Sequence, residues 1–238
     1  MTNLVVLPVP LDNDEVRNLF RPFIERFAWT YRKFPAGAPH RLIAVLLNGD
    51  LDDEIAKIFD GIKTEFIQLD SAGCDFAAQQ MVSRMCPDCF QLNLTSRCYF
   101  HRAGWLNHLV VARETIGPAF YGVSASREGG KLHVCTRAHS FDTNDFNQYP
   151  HEITSRDMGV AVECGEWSLT DWFQSIGRKC HLVHWGGVRR PEDIQYHFNG
   201  YRAGNQHECL IFDKHTQAYE DASPEEKKRL ERMCFEGI

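Results

Sequence analysis

The sequence predicts an α/β fold, a mostly parallel central sheet with helices on both faces, in a single domain over residues 1–238. Three observations carry this expectation. Continuous apolar runs such as Leu4–Val9 and Leu42–Leu47 read as buried strands. Amphipathic stretches at helical spacing alternate with such runs, the pattern of strands crossed over by helices. The length, 238 residues with 43% hydrophobic and 24% charged, is enough to bury a core without a disulfide or metal staple.

The elements follow in order. Leu4–Val9 is a strand closed by Pro8 and Pro10. Asp12, Asn13 and Asp14 offer helix N-caps, and Val16, Leu19, Phe20, Phe23, Ile24 and Phe27 share one helical face. Pro22 is expected to kink or divide that helix. Pro35-Ala36-Gly37 ends it, Arg41–Leu47 is the second strand, and Asn48-Gly49-Asp50 closes it. A short helix over 52–60 and a strand over Thr64–Leu69 come next. Ala72–Met85 is helical up to Pro87. Strand Phe90–Leu94, helix Ala103–Thr115 and strand Phe120–Ser126 complete a first half, residues 1–127. The second half, 128–238, is less regular: a strand over Leu132–Arg137, a helix over Leu169–Ile176, a strand over Cys180–Trp185 and a helix from Ser223-Pro224-Glu225-Glu226 to about Phe235.

Composition narrows the function. The 26 basic and 32 acidic residues give a net charge of −6, which disfavours sequence-independent nucleic-acid binding. No apolar run approaches the ~20 residues of a membrane span, and Met1-Thr2-Asn3 lacks the basic start of a secretory signal. Nine cysteines, an odd number, suit a reducing compartment, so a cytoplasmic location is expected.

In an open α/β sheet, ligands bind beyond the carboxyl ends of the strands. Those ends are Pro8–Asp14, Asn48–Asp50, Asp70–Asp75 and Thr95–His101. Neither a phosphate loop of the G-x-x-x-x-G-K-[ST] type nor a G-x-G-x-x-G after the first strand is present, which argues against a mononucleotide kinase or a nicotinamide enzyme. Cys86-x-x-Cys89 and Cys98-x-x-His101 have the spacing of two zinc knuckles. The alternative is a helix end followed by a core strand. His181 and His184 both fall on the strand over Cys180–Trp185, and His197, His207 and His215 fall in the irregular tail.

Gly73–Gln80 (GCDFAAQQ), the strand QLNLTS and Arg102-Ala103-Gly104-Trp105-Leu106 resemble, in order and spacing, three successive pieces of glycosyltransferase-A-fold enzymes. Phe120–Ser126 (FYGVSAS) matches the strand leading to the acceptor side. Gly165-Glu166-Trp167-Ser168-Leu169 with Gly177 looks like the family's Glu-Asp-x-x-Leu…Gly helix. The resemblance spans roughly residues 4–185. It implies a nucleotide-diphospho-sugar transferase that moves a sugar to a hydroxyl acceptor not named by the sequence.

Carried over by position, Glu166 falls where the family's catalytic base lies and Glu163 is the second choice; the alternative for Glu166 is an acid stabilised by a helix N-terminus. Pro8, Pro10, Asp50, Asp75 and Gln79 fall on the nucleotide side, with Asp75 equally readable as an N-cap. Trp105 and Trp167 fall on the acceptor side as sugar contacts or packing anchors. The family's Asp-x-Asp, which carries Mn²⁺ or Mg²⁺, is replaced by Ser96 and Cys98. The resemblance then implies either metal-independent transfer, with Arg97, His101 or Arg102 meeting the phosphate charge, or a catalytically inactive sugar- or nucleotide-binding relative. A zinc-stabilised interaction protein built on Cys86, Cys89, Cys98 and His101 is the remaining rival.

Overall fold

The computed structural model describes residues 1–196, 202, 204 and 206–237, and His197 lies outside them. Strand β1 (Thr2–Pro10) pairs in parallel with β2 (Arg41–Leu47) on one side and β4 (Cys89–Leu94) on the other, and β2 pairs in parallel with β3 (Thr64–Leu69). Beyond β4 the sheet turns mixed. Strand β8 (Ala138–Asp142) runs antiparallel between β4 and β5 (Phe120–Gly122). β5 then pairs in parallel with β9 (Cys180–His184), and β10 (Gly187–Arg189) closes the edge. The order among the described residues is 10-9-5-8-4-1-2-3, so strands from both halves of the chain share one sheet. β6 (Ala125–Ser126) and β7 (His133–Val134) form a separate small ribbon.

Both faces are covered, as the apolar strands require. Val5, Leu7 and Val9 of β1 pack with Ile24 and Phe27 of α1 (Asp14–Lys33) and with Leu106 and Leu109 of α4 (Trp105–Ile116). α2 (Asp53–Ile58) adds Ile55 to this face. Leu4 and Val6 point the other way, onto Ala78 and Val82 of α3 (Cys74–Met85). Under β5 and β8, Phe120 and Phe141 pack against Phe146 of α5 (Thr143–Phe146), Val162 of α6 (Met158–Glu163) and Phe173 of α7 (Leu169–Ser175). A 3₁₀ turn (Pro191–Tyr196), α8 (Lys214–Glu220) and α9 (Pro224–Glu236) complete the chain.

Four expectations are corrected. Pro22 does not divide α1: it lies on the exposed face, where water can satisfy the carbonyl it frees. β1 runs through Pro8 and ends at Pro10. The strand expected over Phe120–Ser126 is two, β5 and β6, in different sheets. The strand expected over Leu132–Arg137 shrinks to His133–Val134, and the central strand of this region is β8. Among the described residues, no helix is long and apolar enough to cross a membrane.

Candidate functional site

The site grows out of a gap between β1 and β4, where the strand order reverses direction. The Leu11 N–H donates to the Leu47 carbonyl at 2.9 Å, so odd-numbered residues of β1 face β2. Even-numbered ones face β4, whose pairing ends at Val6–Asn93. Pro8 and Pro10, which have no N–H, stand where no partner strand remains, so the crevice opens without orphaning a donor.

Two cavities flank this crevice and meet at Arg97. The first, about 440 Å³, is floored by Pro10, Leu47, Ser71–Gly73 and Ser96, and walled by Leu19 and Phe20 of α1 and Asp75 and Phe76 of α3. Arg156 reaches its rim. Asn48 knits the strand ends together: its side-chain amide donates to Asp12 at 2.7 Å and to the Ser71 carbonyl at 3.1 Å, and its oxygen accepts from the Ser71 N–H at 2.8 Å. Its φ of 58° is a left-handed value that Asn tolerates. The second cavity, about 370 Å³, is lined by Thr95 and Arg97, by His133 and Cys135–Arg137, by Glu163, and by Arg202, Asp213, Lys214 and His215 of the C-terminal segment.

Charge is distributed unevenly between them. The Arg97 guanidinium lies over the Phe20 ring at 4.4 Å, and burial draws it below its ordinary value. Burial pushes the Asp75 carboxyl up to about 6, against the pull of Arg97 and Arg156. In the second cavity Arg137 pairs with Asp213 at 3.1 Å, both almost wholly buried, and Arg202 pairs with Glu128 at 2.5 Å. Burial brings His215 down to about 4, so it is a neutral imidazole near pH 7. Glu163, the last residue of α6, is half-buried, and its Oε1 accepts the Thr136 N–H at 3.1 Å.

Of the residues singled out in the sequence, Pro10, Asp75, Ser96, Arg97 and Glu163 line these cavities. Others do not. Pro8 is buried within β1, and Asp50 is exposed beyond the first cavity. Gln79 is buried, its carbonyl accepting the Gln91 amide at 3.0 Å. His101 turns to the Cys209 carbonyl at 2.7 Å and stacks on Phe212. Trp105 is fully buried, stacked on Phe100 and donating to the Phe34 carbonyl, which makes it a packing anchor. Trp167 stacks on His151, and Glu166 is exposed in the turn before Ser168, the true N-cap of α7. Arg156, Arg202 and Lys214 are not legible in the sequence, because isolated basic residues in unpatterned stretches carry no signal. Only Asp213-x-x-Thr216, a helix-start pattern, hints at where Lys214 sits.

The zinc reading is corrected. Cys86 and Cys89 lie at the start of β4, while Cys98 and His101 lie past its other end, roughly 20 Å away at ~3.3 Å per residue. Among the described residues no group of three or more His, Cys, Asp or Glu is placed to hold a metal ion. A Mn²⁺ or Mg²⁺ at the former Asp-x-Asp position fits no better. Such ions take about six oxygen ligands. Here Cys98 is buried, its thiol directed at the Arg137 carbonyl and pushed up to about 12 by burial, and the nearby carboxylate, Asp75, shares its surroundings with Arg97 and Arg156.

No family model and no curated protein matches the sequence. Solved structures do match in shape. A candidate glucose-1-phosphate thymidylyltransferase from Bacillus anthracis superposes with a TM-score of 0.50 at 9% identity, over 74% of this chain and 84% of that one. A CMP:2-keto-3-deoxy-manno-octonic acid synthetase complexed with CTP gives 0.47 at 11%, over 82% and 96%. TarS of S. aureus gives 0.45 at 10%, over 63% of this chain, which spans only 30% of TarS. At such identities the likeness is one of fold, and the fold is glycosyltransferase-A-like, as the resemblance in the sequence implies.

Proposed function

We propose that this chain transfers a glycosyl group from a nucleotide diphosphate sugar to a hydroxyl acceptor. The nucleoside occupies the first cavity, the sugar and acceptor occupy the second, and Glu163 is the general base. The observation that carries this reading is the meeting of the two cavities at Arg97, beyond the carboxyl ends of the parallel strands. The first cavity has an aromatic wall in Phe20 and Phe76 suited to a planar base. The second has a carboxylate, Glu163, in its lining, whereas the exposed Glu166 stands outside it.

In this reaction the Glu163 carboxylate takes the proton of the acceptor hydroxyl as that oxygen bonds to the anomeric carbon. The bond from that carbon to the diphosphate oxygen breaks, and the electron pair leaves with the nucleoside diphosphate. Attack from the face opposite the leaving group inverts the anomeric centre. The Thr136 N–H on Oε1 fixes the carboxylate's orientation and leaves Oε2 for the proton.

The test is a thermal-unfolding screen of nucleoside diphosphates and nucleotide diphosphate sugars. A ligand at a hundredfold excess over its Kd stabilises the native state by about 2.7 kcal/mol, roughly 5–10 °C for a chain of this size. One nucleotide series should shift the midpoint and its sugar conjugate should be turned over. A shift without turnover of any sugar nucleotide points to the inactive binding relative, and no shift with any nucleotide refutes the reading.

A further inference from the structure

The glycosyltransferase-A resemblance implies a divalent cation, and the residues present do not fit one; what stands there instead is positive charge. Arg97 lines both cavities, Lys214 the second and Arg156 the first, so three cations surround the junction from three separate parts of the chain. The other two arginines of the second cavity are committed to carboxylates, Arg137 to Asp213 and Arg202 to Glu128. Among the described residues, neither Arg97 nor Lys214 has a carboxylate within ion-pair distance. They are close enough to disfavour each other: after burial, Arg97 is the largest influence holding the Lys214 ammonium below its ordinary value, with Arg202 and Arg156 adding to it. Arg97 is also fixed in place, its flat guanidinium seated against Phe20 and Phe23, leaving its N–H edge for a ligand.

Arg97 is half-buried and Lys214 and Arg156 are exposed, and Asp75 and Asp213 offset part of their repulsion. Cations gathered at one junction, with no carboxylate in ion-pair distance among the described residues, are poised for an anion. We infer that Arg97, Lys214 and Arg156 form a metal-free diphosphate site at the junction of the two cavities. Its role in catalysis rests on the transferase reading, where these cations, in place of a divalent metal, meet the charge that develops on the leaving nucleoside diphosphate. The anion site itself does not depend on that reading.

Inorganic pyrophosphate is the probe, titrated calorimetrically into the whole chain in EDTA and again with Mg²⁺ or Mn²⁺. Binding is expected in EDTA, weakening as salt is raised. Arg97→Ala should weaken it by roughly tenfold to a hundredfold, and Lys214→Gln and Arg156→Ala, whose side chains are exposed, by a few-fold each. Arg41→Ala, at the opposite end of the sheet, should leave it unchanged. Thermal unfolding of each variant checks that it folds, and the two independent substitutions guard against one that does not. Binding that requires Mg²⁺ or Mn²⁺, binding indifferent to both Arg97→Ala and Lys214→Gln, or no binding at all would overturn the inference. Should pyrophosphate bind as expected while no nucleoside diphosphate binds more tightly, the anion site stands and the transferase reading falls.

Discussion

Two carboxylates of the site are held in opposite ways. Glu163 is tethered by one backbone N–H, at the edge of the second cavity. If it is the base, Glu163→Gln should lower turnover by roughly 10²–10⁴-fold while leaving ligand-induced stabilisation in place, and Glu166→Gln should leave turnover near the parent value. Equal losses in the two variants would remove the distinction between them. Asp75 is instead desolvated, with a carboxyl at about 6 against an ordinary 3.8. A folded value above the unfolded one means the native state holds the proton more tightly. Stability from this group is therefore greatest below about 4 and falls as pH rises through about 6. Asp75→Asn should stabilise the protein by about 1–2 kcal/mol near pH 7.5 and flatten its pH dependence between 4 and 7. Urea unfolding across that range decides it, and parallel curves for parent and variant would show that the carboxyl is not desolvated. An anion arriving beside Arg97 adds negative charge near Asp75, so pyrophosphate binding near pH 6.5, where the probe itself also titrates, should take up more protons or release fewer in the parent than in Asp75→Asn.

Among the elements, α3 positions more than its own side chains. The Gln80 amide donates to the His151 carbonyl at 2.7 Å and its oxygen accepts the Ile153 N–H at 3.0 Å, clamping the segment that leads to Arg156. At Gly73 a Cβ would stand 2.4 Å from the Ile153 carbonyl oxygen. The backbone there is ordinary, φ −78°, so space alone forbids a side chain. Gly73→Ala should push this segment off α3. Gln80→Ala should orphan two backbone groups, at about 1–3 kcal/mol. Both should weaken pyrophosphate binding a few-fold through Arg156, and a full loss of stability with unchanged anion affinity would mean the clamp serves the fold alone. Elements of this kind also mark what a sequence hides. β1 and β2 are legible because nearly every residue in their cores is apolar, and β4 because apolar residues alternate with Gln91 and Asn93. β8, the central antiparallel strand, reads Ala-His-Ser-Phe-Asp, and its polar residues are buried by tertiary structure that a sequence does not show: Arg113, from a distant helix, binds Asp142 at 2.8 Å, while His139 Nδ1 meets the nearby Thr136 carbonyl. α6 is too short to show periodicity, so the following turn reads as a helix start and the sequence ranks the exposed Glu166 ahead of the cavity-lining Glu163. Arg97 is legible from its place after β4, while Lys214 and Arg156 reach it only through tertiary structure.

For the whole molecule, the question is what brings a C-terminal segment back over a crevice made by the first half. Two isolated bridges, Tyr99–Phe212 and His184–Cys209, dock it against the sheet. Between them and Lys214 lies the Arg137–Asp213 pair, with side-chain exposures of 6% and 3%. Asp213 also accepts the backbone N–H groups of His215 and Thr216 at the start of α8, and Thr216 returns the bond to the Asp213 N–H. Burial works against the Asp213 charge, yet Arg137, His215 and these N–H groups together hold its carboxyl below the ordinary range. Its contribution to stability is thus present above about pH 4 and lost as pH falls further. Asp213→Ala leaves the Arg137 guanidinium buried without its counter-charge, a change that costs about 3–5 kcal/mol. Asp213→Asn keeps the cap and should cost about 1 kcal/mol less. Both should be less acid-sensitive than the parent below pH 4, because the group that titrates there is gone. Denaturant unfolding at pH 7 and pH 3.5 measures all of this. A cost under about 1 kcal/mol for Asp213→Ala at pH 7, the value of a solvated surface pair, would mean that this ion pair does not hold the segment in place and that Lys214 is brought to Arg97 by the two bridges alone.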